Sequence, residues 1–317
     1  MITVRSYNPG DRVRWDQFVR TARNAHFMFE RGYMEYHGGR FSDASVLFER
    51  SGRLIAILPA HRLEDPVTRQ RVFASHEGLS FGGFIVSPSM HQALMEAIFD
   101  AFLSYLRSKG FHKLRYRRIP SVYDATMGEE DLWQLHQSGA AIVDCKVGAC
   151  LRVGQKSEAS ESFRRTLRRA RRAGVTTGQW DDVSAFYTLL TRWLQKRYQS
   201  GPVHTIEELR LLWERFPKNM FIHAAWKDGD VVAANLFFVA KHCLRLQYSA
   251  NTAEGLRLGG DHSLIDALVS GLPEGKWFDF GTSMTPTGDL KNSLHAFKES
   301  CGARMMLVKT YELPLAL

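Results

Sequence analysis

Two stretches of the sequence, VLFERSGRLIA (residues 46 to 56) and HAAWKDGDVVA (residues 223 to 233), repeat one pattern at an offset of 177 residues (223 − 46). Each predicts a strand, a tight turn at a glycine and a second strand, because two apolar runs flank a short polar segment. At the same offset, LSFGGF (79 to 84) aligns with LRLGGD (256 to 261), and both Gly-Gly pairs coincide. Two matches at one offset indicate two copies of one structural unit.

The similarity between the halves extends in both directions from these matches. Residues 4 to 19 and 175 to 190 each predict a strand followed by a helix whose first turn carries Asp. After each Gly-Gly pair an apolar-periodic segment predicts a helix, which leads to a strand, HKLRYRRI in one half and KWFDFG in the other. Each half therefore predicts an α/β fold with a mixed sheet (α+β). We expect two domains, residues 1 to 150 and 151 to 317, with a cleft between them.

The composition is that of a globular protein with a basic surface. Of 317 residues, 44% are apolar and 24% are charged, and Lys and Arg outnumber Asp and Glu by 42 to 33. The positive charge favours polyanionic partners, such as CoA, a nucleotide sugar, tRNA or an acidic membrane surface. The four cysteines form neither a CxxC pair nor a His/Cys ligand pattern, so we predict neither a metal site nor disulfide bonds. The N-terminus lacks an apolar segment, which favours a cytoplasmic protein without a membrane span.

The second half carries several motifs in a characteristic order: SFRRTLRRARRAG, WKDGDVVAANLFF, LRLQYSAN, FDFG and AFK. They resemble the GNAT acyltransferase fold in its FemAB-like branch, and the duplication indicates two tandem GNAT domains. In the first half, SHEGLSFGGFIV is similar to members that N-acylate amino sugars attached to nucleotides. The resemblance implies an acyl-CoA-dependent N-acyltransferase that acts on a nucleotide-linked amino sugar in surface polysaccharide or lipopolysaccharide biosynthesis. CoA would bind the second domain and the acceptor the first.

Two other functions remain open from the sequence. FemAB-like enzymes include members that transfer an aminoacyl group from charged tRNA to a cell-wall precursor or an antibiotic, and an arginine-rich helix suits such a donor. A duplicated fold can also retain only a nucleotide-binding site, without catalysis. We expect small-molecule substrates, with tRNA as the alternative donor, and no DNA partner. The sequence leaves the acyl chain, the acceptor and the oligomeric state open.

The segment after the predicted strand LRLQYSAN is the expected CoA site. By resemblance, GNAT enzymes bind the diphosphate with an Arg/Gln-x-x-Gly-x-Gly/Ala loop, and here His262 occupies the last small position. Backbone N–H groups between a strand and a helix suit phosphate oxygens, whereas a plain turn would need glycine only for a positive φ. The first-half copy, residues 80 to 83, lacks the arginine and is expected to have lost this role. The expected cofactor-binding residues are Arg257, Leu258, Gly259, Gly260, His262 and Phe280.

An arginine-rich helix is predicted within residues 160 to 174. The i, i+4 spacing lines Arg164, Arg168 and Arg172 along one side, where they either bind phosphate groups or form a solvated basic face. At the end of the next predicted helix, Arg197 and Tyr198 either reach acceptor phosphates or lie at a surface helix end. The residues expected to contact the substrate are Glu77, Arg168, Arg197, Tyr198 and Phe297.

The GNAT-like layout implies that the acyl donor lies between the strands LRLQYSAN and KWFDFG, near Tyr248 and Asp279. Asp279 either orients or deprotonates the attacking amine, or it accepts backbone hydrogen bonds that fix the following loop. Lys298 resembles the lysine of a FemAB-like Phe-Lys pair, which implies that it offsets oxyanion charge or holds a phosphate. The alternative for Lys298 is an ordinary surface lysine.

His76 is a further candidate base, because imidazole titrates near neutral pH and the residue precedes the first Gly-Gly pair. A lone histidine is more often structural, and Glu77 is the weaker substitute. The sequence contains no spacing that predicts a Ser-His-Asp or Cys-His arrangement, so we expect direct transfer without a covalent acyl-enzyme. The expected catalytic residues are therefore Asp279, Lys298, His76 and Tyr248.

Overall fold

The structure is a computed structural model that describes residues 1–155, 159–285 and 287–315. It divides into two compact units, one formed by Met1–Lys146 with Leu307–Leu317 and the other by Val147–Met306. The division after residue 146 lies four residues before the predicted boundary. The prediction that the chain end belongs to the second domain needs correction, because the final strand pairs with a strand of the first unit.

The first half of the chain alternates short strands with helices. Short 3₁₀ turns at Pro9–Asp11, Phe27–Phe29, Glu35–Arg40 and Ser121–Tyr123 complete this half. Its strands are β1 (Ile2–Ser6), β2 (Ser42–Asp43), β3 (Val46–Arg50), β4 (Arg53–Leu58), β5 (Ala60–Glu64), β6 (Arg71–Ser75), β7 (Ile85–Val86) and β8 (Lys113–Arg117). Its helices are α1 (Arg12–Thr21), α2 (Arg31–Met34), α3 (Gln92–Ser108) and α4 (Glu130–Gln137).

The second half has longer strands and more helices. Its strands are β9 (Ala141–Arg152), β10 (Thr176–Gln179), β11 (Met220–Lys227), β12 (Asp230–Val239), β13 (Cys243–Asn251), β14 (Trp277–Thr282) and β15 (Arg304–Pro314). Its helices are α5 (Glu161–Arg172), α6 (Val183–Tyr198), α7 (Ile206–Arg215), α8 (Ala253–Leu258), α9 (Gly260–Gly271) and α10 (Asn292–Ser300). Strands β9 and β15 each begin in one unit and end in the other.

The first unit contains two sheets. Strands β1, β3, β4 and β7 form an antiparallel sheet in that order. In the other sheet β15 pairs with β8, β8 runs parallel to β6, and β5 and β2 follow. The buried ring of Phe102 on α3 lies 5.6 Å from that of Phe48 on β3 and 5.3 Å from that of Phe73 on β6, centroid to centroid, which joins helix α3 to both sheets. The apolar periodicity of residues 92 to 108 supplies this contact.

The second unit is built on one sheet with the order β10-β11-β12-β13-β14-β9. Every neighbouring pair is antiparallel except β13 and β14, which run parallel. Helices α5 and α9 cover the sheet through a core that includes Phe163, Phe237, Ile265 and Phe278. The predicted order of strand, helix, hairpin, helix and strand is present in this unit, and the predicted mixed α/β fold is confirmed.

Glycines let α8 and α9 approach the sheet closely. A Cβ atom on Gly255 would lie 2.0 Å from the carbonyl oxygen of Val232 in β12, and one on Gly260 would lie 2.8 Å from the Cβ of Ala233. Neither contact is possible for a larger residue without movement of the helix. These glycines are therefore required by helix-to-sheet packing.

We expect Gly255→Ala to lower the free energy of unfolding by about 1–3 kcal/mol, because the added methyl group meets a backbone carbonyl that cannot rotate away. The matched control is Gly271→Ala at the end of α9, where a Cβ atom meets nothing within 4 Å. The control should leave stability unchanged or raise it by up to about 1 kcal/mol. Urea denaturation of both variants measures the difference, and equal effects would contradict the packing argument.

Candidate active site

The parallel strands β13 and β14 pair over only a short length. Their register joins Cys243 to Trp277, Leu244 to Phe278 and Arg245 to Asp279, and no further pair follows. Beyond this point β13 stays with β12, whereas β14 pairs with β9 through an irregular register that resumes at Thr282. The sheet of the second unit therefore opens between β13 and β14 just past residues 245 and 279.

A buried ion pair occupies the last paired position. Arg245 Nη1 donates to Asp279 Oδ2, and the Asp279 side chain is 0% exposed. The other carboxylate oxygen, Oδ1, accepts the backbone N–H of Gly281 at 2.7 Å. A carboxylate that is fully buried and bonded in this way is not placed to take a proton from a bound amine. The geometry favours the second interpretation of Asp279, in which it fixes the backbone after the strand.

Lys298 reaches the same turn from helix α10. Its side chain is 3% exposed, and Nζ donates to the carbonyl oxygens of Gly281 at 2.9 Å and Thr282 at 2.7 Å. Burial lowers the pKa of the Lys298 ammonium to about 7, against the opposite effect of the Asp279 charge. The interpretation of Lys298 as a surface lysine is wrong. Near neutral pH this group exchanges a proton beside the opening.

Tyr248 lies on β13 beyond the last paired position. Its hydroxyl is 2.6 Å from Nδ1 of His204, and the backbone N–H of His204 also donates to it at 3.4 Å. Burial raises the pKa of Tyr248 to about 12. His204 is 4% exposed and precedes Thr205, which caps helix α7. Sequence reasoning missed His204 because the loop GPVHT contains no motif; the only local signal is the capping box that begins at Thr205.

The expected CoA loop is not a strand-to-helix loop. Arg257 and Leu258 end helix α8, Gly259 has a φ of 94°, and Gly260 begins α9. Leu258 is buried, whereas Arg257 is exposed and pairs with Glu254 at 3.1 Å. The prediction of an open loop directly after the strand is wrong because α8 lies between them. Of its two glycines, Gly260 serves the packing against β12 described above, and Gly259 has a positive φ at the junction of the two helices.

An acidic side chain lies in the first turn of α9. The carboxylate of Asp261 accepts hydrogen bonds from Asn251 Nδ2 at 2.6 Å and Ser249 Oγ at 3.2 Å. Burial raises the pKa of Asp261 to about 6, so the group is ionised at neutral pH. The helix start that was expected to hold a diphosphate thus carries a negative charge of its own, which opposes a second anion.

The aromatic residues expected to contact the cofactor (His262 and Phe280) or the substrate (Phe297) lie in the core or pack against it. The ring of His262 lies between Phe163 and Phe297, with centroids 5.0 and 5.1 Å away. Burial, and then the positive charge of Arg169, lower the pKa of His262 to about 4, so the ring is neutral and packs rather than binding phosphate. Phe280 is buried against Phe278.

Helix α5 presents its arginines to solvent. Phe163, Leu167 and Ala170 face the core, and all six arginines are exposed. Some are neutralised: Glu161 pairs with Arg164 and Arg168, and Asp266 pairs with Arg171. Among residues 1–155, 159–285 and 287–315, the ion pairs do not include Arg165, Arg169 or Arg172. These three lie at i, i+4 and i+7, so they share one face of the helix.

The end of helix α6 carries the other predicted contact residues. Arg197 is exposed, with its guanidinium 5.6 Å from the ring of Trp193. Tyr198 is half-buried because the ammonium of Lys291 lies 3.8 Å from its ring. Both residues remain accessible beside the loop that follows β14, and their role as contacts stays a prediction.

His76 and Glu77 lie in the first unit, whereas Asp279, Tyr248 and Lys298 lie in the second. The His76 side chain is 6% exposed, and its ring lies 5.5 Å from those of His37 and His61. Burial lowers the pKa of His76 to about 3, and Glu77 pairs with Arg115 at 3.2 Å. This surrounding is that of a packed, neutral histidine.

The next features are potential metal ligands, the cysteines and the apolar character of the helices. Across the described ranges, no three His, Cys, Asp or Glu side chains are grouped so that they could hold a metal ion. Cys145, Cys150, Cys243 and Cys301 are free thiols. Within the part of the chain that the structure describes, no helix has the length and apolar character needed to cross a membrane.

Comparison with protein families finds a match that lies within the second unit. Residues 160–287 match the family model of an acetyltransferase (GNAT) domain. No curated protein matches the chain in sequence. The matched segment contains α5 to α9, β14 and the opening between β13 and β14.

Solved structures are similar over nearly the whole chain. FemX shares 12% identity at a TM-score of 0.72, covering 99% of this chain and 97% of that one. The C-terminal domain of a provisionally assigned lysylphosphatidylglycerol synthetase from Agrobacterium fabrum shares 14% at 0.59, covering 97% and 92%. A tandem GNAT protein from the clavulanic acid biosynthesis pathway shares 11% at 0.55, covering 100% and 99%. These likenesses show a tandem, FemAB-like GNAT fold.

We expect Lys298→Met to change how stability depends on pH. Between the folded pKa of about 7 and the unfolded value of ~10.4, the unfolded chain holds this proton and the folded chain does not. The wild type should therefore gain stability relative to the variant as pH rises above 7, by at most ~1.4 kcal/mol per pH unit. Urea denaturation at about pH 7, 8 and 9 measures this difference.

The control is Lys241→Met, which removes an exposed lysine from the turn between β12 and β13. Its charge is solvated in both states, so its effect should not vary over this pH range. Parallel pH curves for the wild type and Lys298→Met would contradict the description of Lys298 as a buried group that is neutral above pH 7.

Proposed function

We propose that the protein transfers an aminoacyl group from a charged tRNA to the amine of a small acceptor. The observation that carries this proposal is the face of helix α5 formed by Arg165, Arg169 and Arg172, which is exposed and forms no ion pair with the residues that the structure describes. The function most strongly expected from the sequence, transfer from acyl-CoA to a nucleotide-linked amino sugar, becomes the second candidate.

The arginine face has the spacing of a nucleic-acid contact. Along a helix with a rise of ~1.5 Å per residue, the three arginines are about 6 and 4.5 Å apart, which suits contacts with neighbouring phosphates of one strand. Each planar guanidinium can donate two parallel hydrogen bonds to a phosphate. Two of the six arginines of α5 are held by Glu161, which keeps the helix surface ordered around this face.

The similar structures support an aminoacyl donor. One is named FemX, which agrees with the FemAB-like resemblance of the sequence, and another is assigned as a synthetase of lysylphosphatidylglycerol, a product that carries an aminoacyl group. A donor of this kind also fits the cytoplasmic location expected from the sequence.

The opening between β13 and β14 has groups suited to attack on an ester. The amine adds to the carbonyl carbon of the aminoacyl ester, and negative charge develops on the carbonyl oxygen. The ammonium of Lys298, held by the carbonyls of Gly281 and Thr282, supplies positive charge beside this position when it is protonated. The intermediate then releases the ribose oxygen of the tRNA.

Transfer from acyl-CoA is the second candidate because residues 160–287 match an acetyltransferase (GNAT) domain. Two features of the expected diphosphate site weigh against it. Helix α8 replaces the open loop, and the ionised Asp261 lies in the first turn of α9. Under this candidate the acceptor would be the nucleotide-linked amino sugar expected from the first-half motif.

We expect uncharged tRNA to bind the protein more tightly than CoA does, with an affinity that falls as salt rises. The variant Arg165→Glu/Arg172→Glu should weaken tRNA binding at least about tenfold and reduce the salt dependence, because two phosphate contacts become repulsive. Titration calorimetry of the wild type and variant at two salt concentrations measures both effects.

The matched control is Lys218→Glu/Lys241→Glu, which makes the same change in net charge at two exposed lysines near the ends of β11 and β13. It should retain most of the tRNA affinity. Equal losses in the two variants would mean that only net charge matters. Binding of CoA without binding of tRNA would contradict the proposal and favour the second candidate.

A further inference from the structure

A histidine and a tyrosine form a buried hydrogen-bonded pair in the second unit. His204, in the loop between α6 and α7, places Nδ1 2.6 Å from the hydroxyl of Tyr248 on β13. A third residue fixes the loop, since the hydroxyl of Tyr187 on α6 donates to the carbonyl oxygen of His204 at 3.2 Å. The aminoacyl-transfer chemistry described above needs a group that removes a proton from the attacking amine, and none has yet been assigned.

Tyr248 lies on β13 three residues past Arg245, the last position at which this strand pairs with β14. On β14, three residues past Asp279, the carbonyl oxygen of Thr282 is one of the two that hold the ammonium of Lys298. Tyr248 and the carbonyl group that binds Lys298 therefore both lie past the last pair, one on β13 and the other on β14.

The two faces of β13 contact different elements of the second unit. Ser249 and Asn251 point toward α9, where they bond to Asp261. Tyr248 points to the opposite face, where α6 packs against β13 and His204 is found. The Tyr248 hydroxyl is thus independent of the Asp261 network, and the packing of α6 holds it in place.

The distance between the Tyr248 hydroxyl and Nδ1 fits either tautomer of the His204 ring, and one of the two makes the tyrosine the donor. A phenol hydroxyl has one proton to donate and two lone pairs to accept with. The backbone N–H of His204 donates to the Tyr248 oxygen, so the remaining proton of the hydroxyl is free to point to Nδ1 of the His204 ring. In this arrangement the ring carries its own proton on Nε2 and accepts on Nδ1.

We propose that Tyr248 is a catalytic residue that takes a proton from the attacking amine and that His204 is the positioning residue that receives the tyrosine proton. This inference rests on the proposed function. As the amine nitrogen forms a bond to the ester carbonyl carbon, its proton moves to the Tyr248 oxygen and the tyrosine proton moves to His204 Nδ1. When the bond between carbonyl carbon and ribose oxygen breaks, the proton returns by the same route to the ribose oxygen.

These two linked proton transfers, here called the relay, avoid a tyrosinate. Burial raises the pKa of Tyr248 to about 12, so a lasting phenolate is disfavoured, whereas transfer in and out of the hydroxyl leaves it neutral. Among the described residues, Tyr187 from α6 is a titratable group in contact with the pair, and Glu208, in the first turn of α7, accepts the N–H of the adjacent Thr205. The relay works only while His204 is unprotonated on Nδ1.

The first test does not depend on the reaction. Nitrogen-15 NMR of protein labelled in histidine reports which ring nitrogen of His204 carries the proton, with the signal assigned by its loss in His204→Gln. We expect Nδ1 to be unprotonated at neutral pH and its resonance to shift in Tyr248→Phe. A proton on Nδ1 would make the tyrosine the acceptor and would overturn the relay.

The second test is a pH profile. Total tRNA charged with a labelled amino-acid mixture is the donor, and methoxyamine, a weakly basic amine that is largely neutral where histidine titrates, is the acceptor. We expect the wild-type single-turnover rate to fall at acid pH. His204→Gln should be slower by about 10²-fold or more, because glutamine keeps the hydrogen bond but cannot take the proton. The rate of this variant should not fall at acid pH. Tyr248→Phe should match it, with tRNA affinity unchanged.

The control is His242→Gln, the same substitution in the turn before β13, which should retain the wild-type profile. An unchanged acid limb in His204→Gln, with the variant folded by its thermal transition, would overturn the relay. Absence of tRNA binding and of protein-dependent transfer in the wild type would instead contradict the proposed function. The two failures are thereby separate, and the NMR result decides the hydrogen-bond direction in either case.

Discussion

The buried ion pair between Arg245 and Asp279 is the constraint on which the rest of the second unit depends. It lies at the last position where β13 and β14 pair, and the Asp279 side chain is entirely excluded from solvent. A charge in such a place is costly unless it is paired and hydrogen-bonded, and Asp279 meets both conditions through Arg245 and the N–H of Gly281. Gly281 has a φ of 70°, a left-handed conformation that glycine adopts readily. One carboxylate thus binds both β13, through Arg245, and the backbone of β14 just past the last pair.

The opening creates the environment of Lys298. Because β14 no longer pairs with β13 beyond Asp279, the carbonyls of Gly281 and Thr282 are available to the Lys298 ammonium. The charges of the ion pair act on the lysine in opposite directions, and burial outweighs both, which brings its pKa to about 7. A group that gains or loses a proton near neutral pH is therefore a consequence of where the strands separate. Tyr248 lies on β13 three residues past the same ion pair.

The parts of the fold that follow local patterns were predictable from the sequence. The repeated hairpins and the helices after the Gly-Gly pairs are short-range features, and their order is found in the structure. Helix α8 was not predicted because it is six residues long and contains Gly255, which reads as a turn residue although the close approach to Val232 requires it. Local sequence patterns also could not predict that the chain end belongs to the first unit. Strand β15 pairs with β8 across almost two hundred residues, as in the contact between Arg115 and Glu312.

In the candidate site, too, local patterns predicted some features and long-range contacts determined the others. Lys298, Asp279 and Tyr248 were named from motifs, but their burial and partners arise from contacts between distant residues. His204 had no motif, and it meets Tyr248 across a sequence separation of 44 residues. The CoA loop was predicted from its glycines, whereas the close approach of Gly260 to Ala233 depends on the neighbouring strand. Sequence patterns identified which residues are unusual, and tertiary packing determines what they can do.

A double-mutant cycle on Arg245 and Asp279 tests whether this ion pair holds β13 and β14 together at the point where they separate. Arg245→Met, Asp279→Asn and the double variant would be compared with the wild type by urea denaturation. We expect each single change to lower the free energy of unfolding by about 3–5 kcal/mol, because it leaves a buried group without its partner. The double variant should lose little more than one single variant does. Single losses below about 1 kcal/mol that simply add in the double variant would show that the ion pair does not hold the strands at their point of separation.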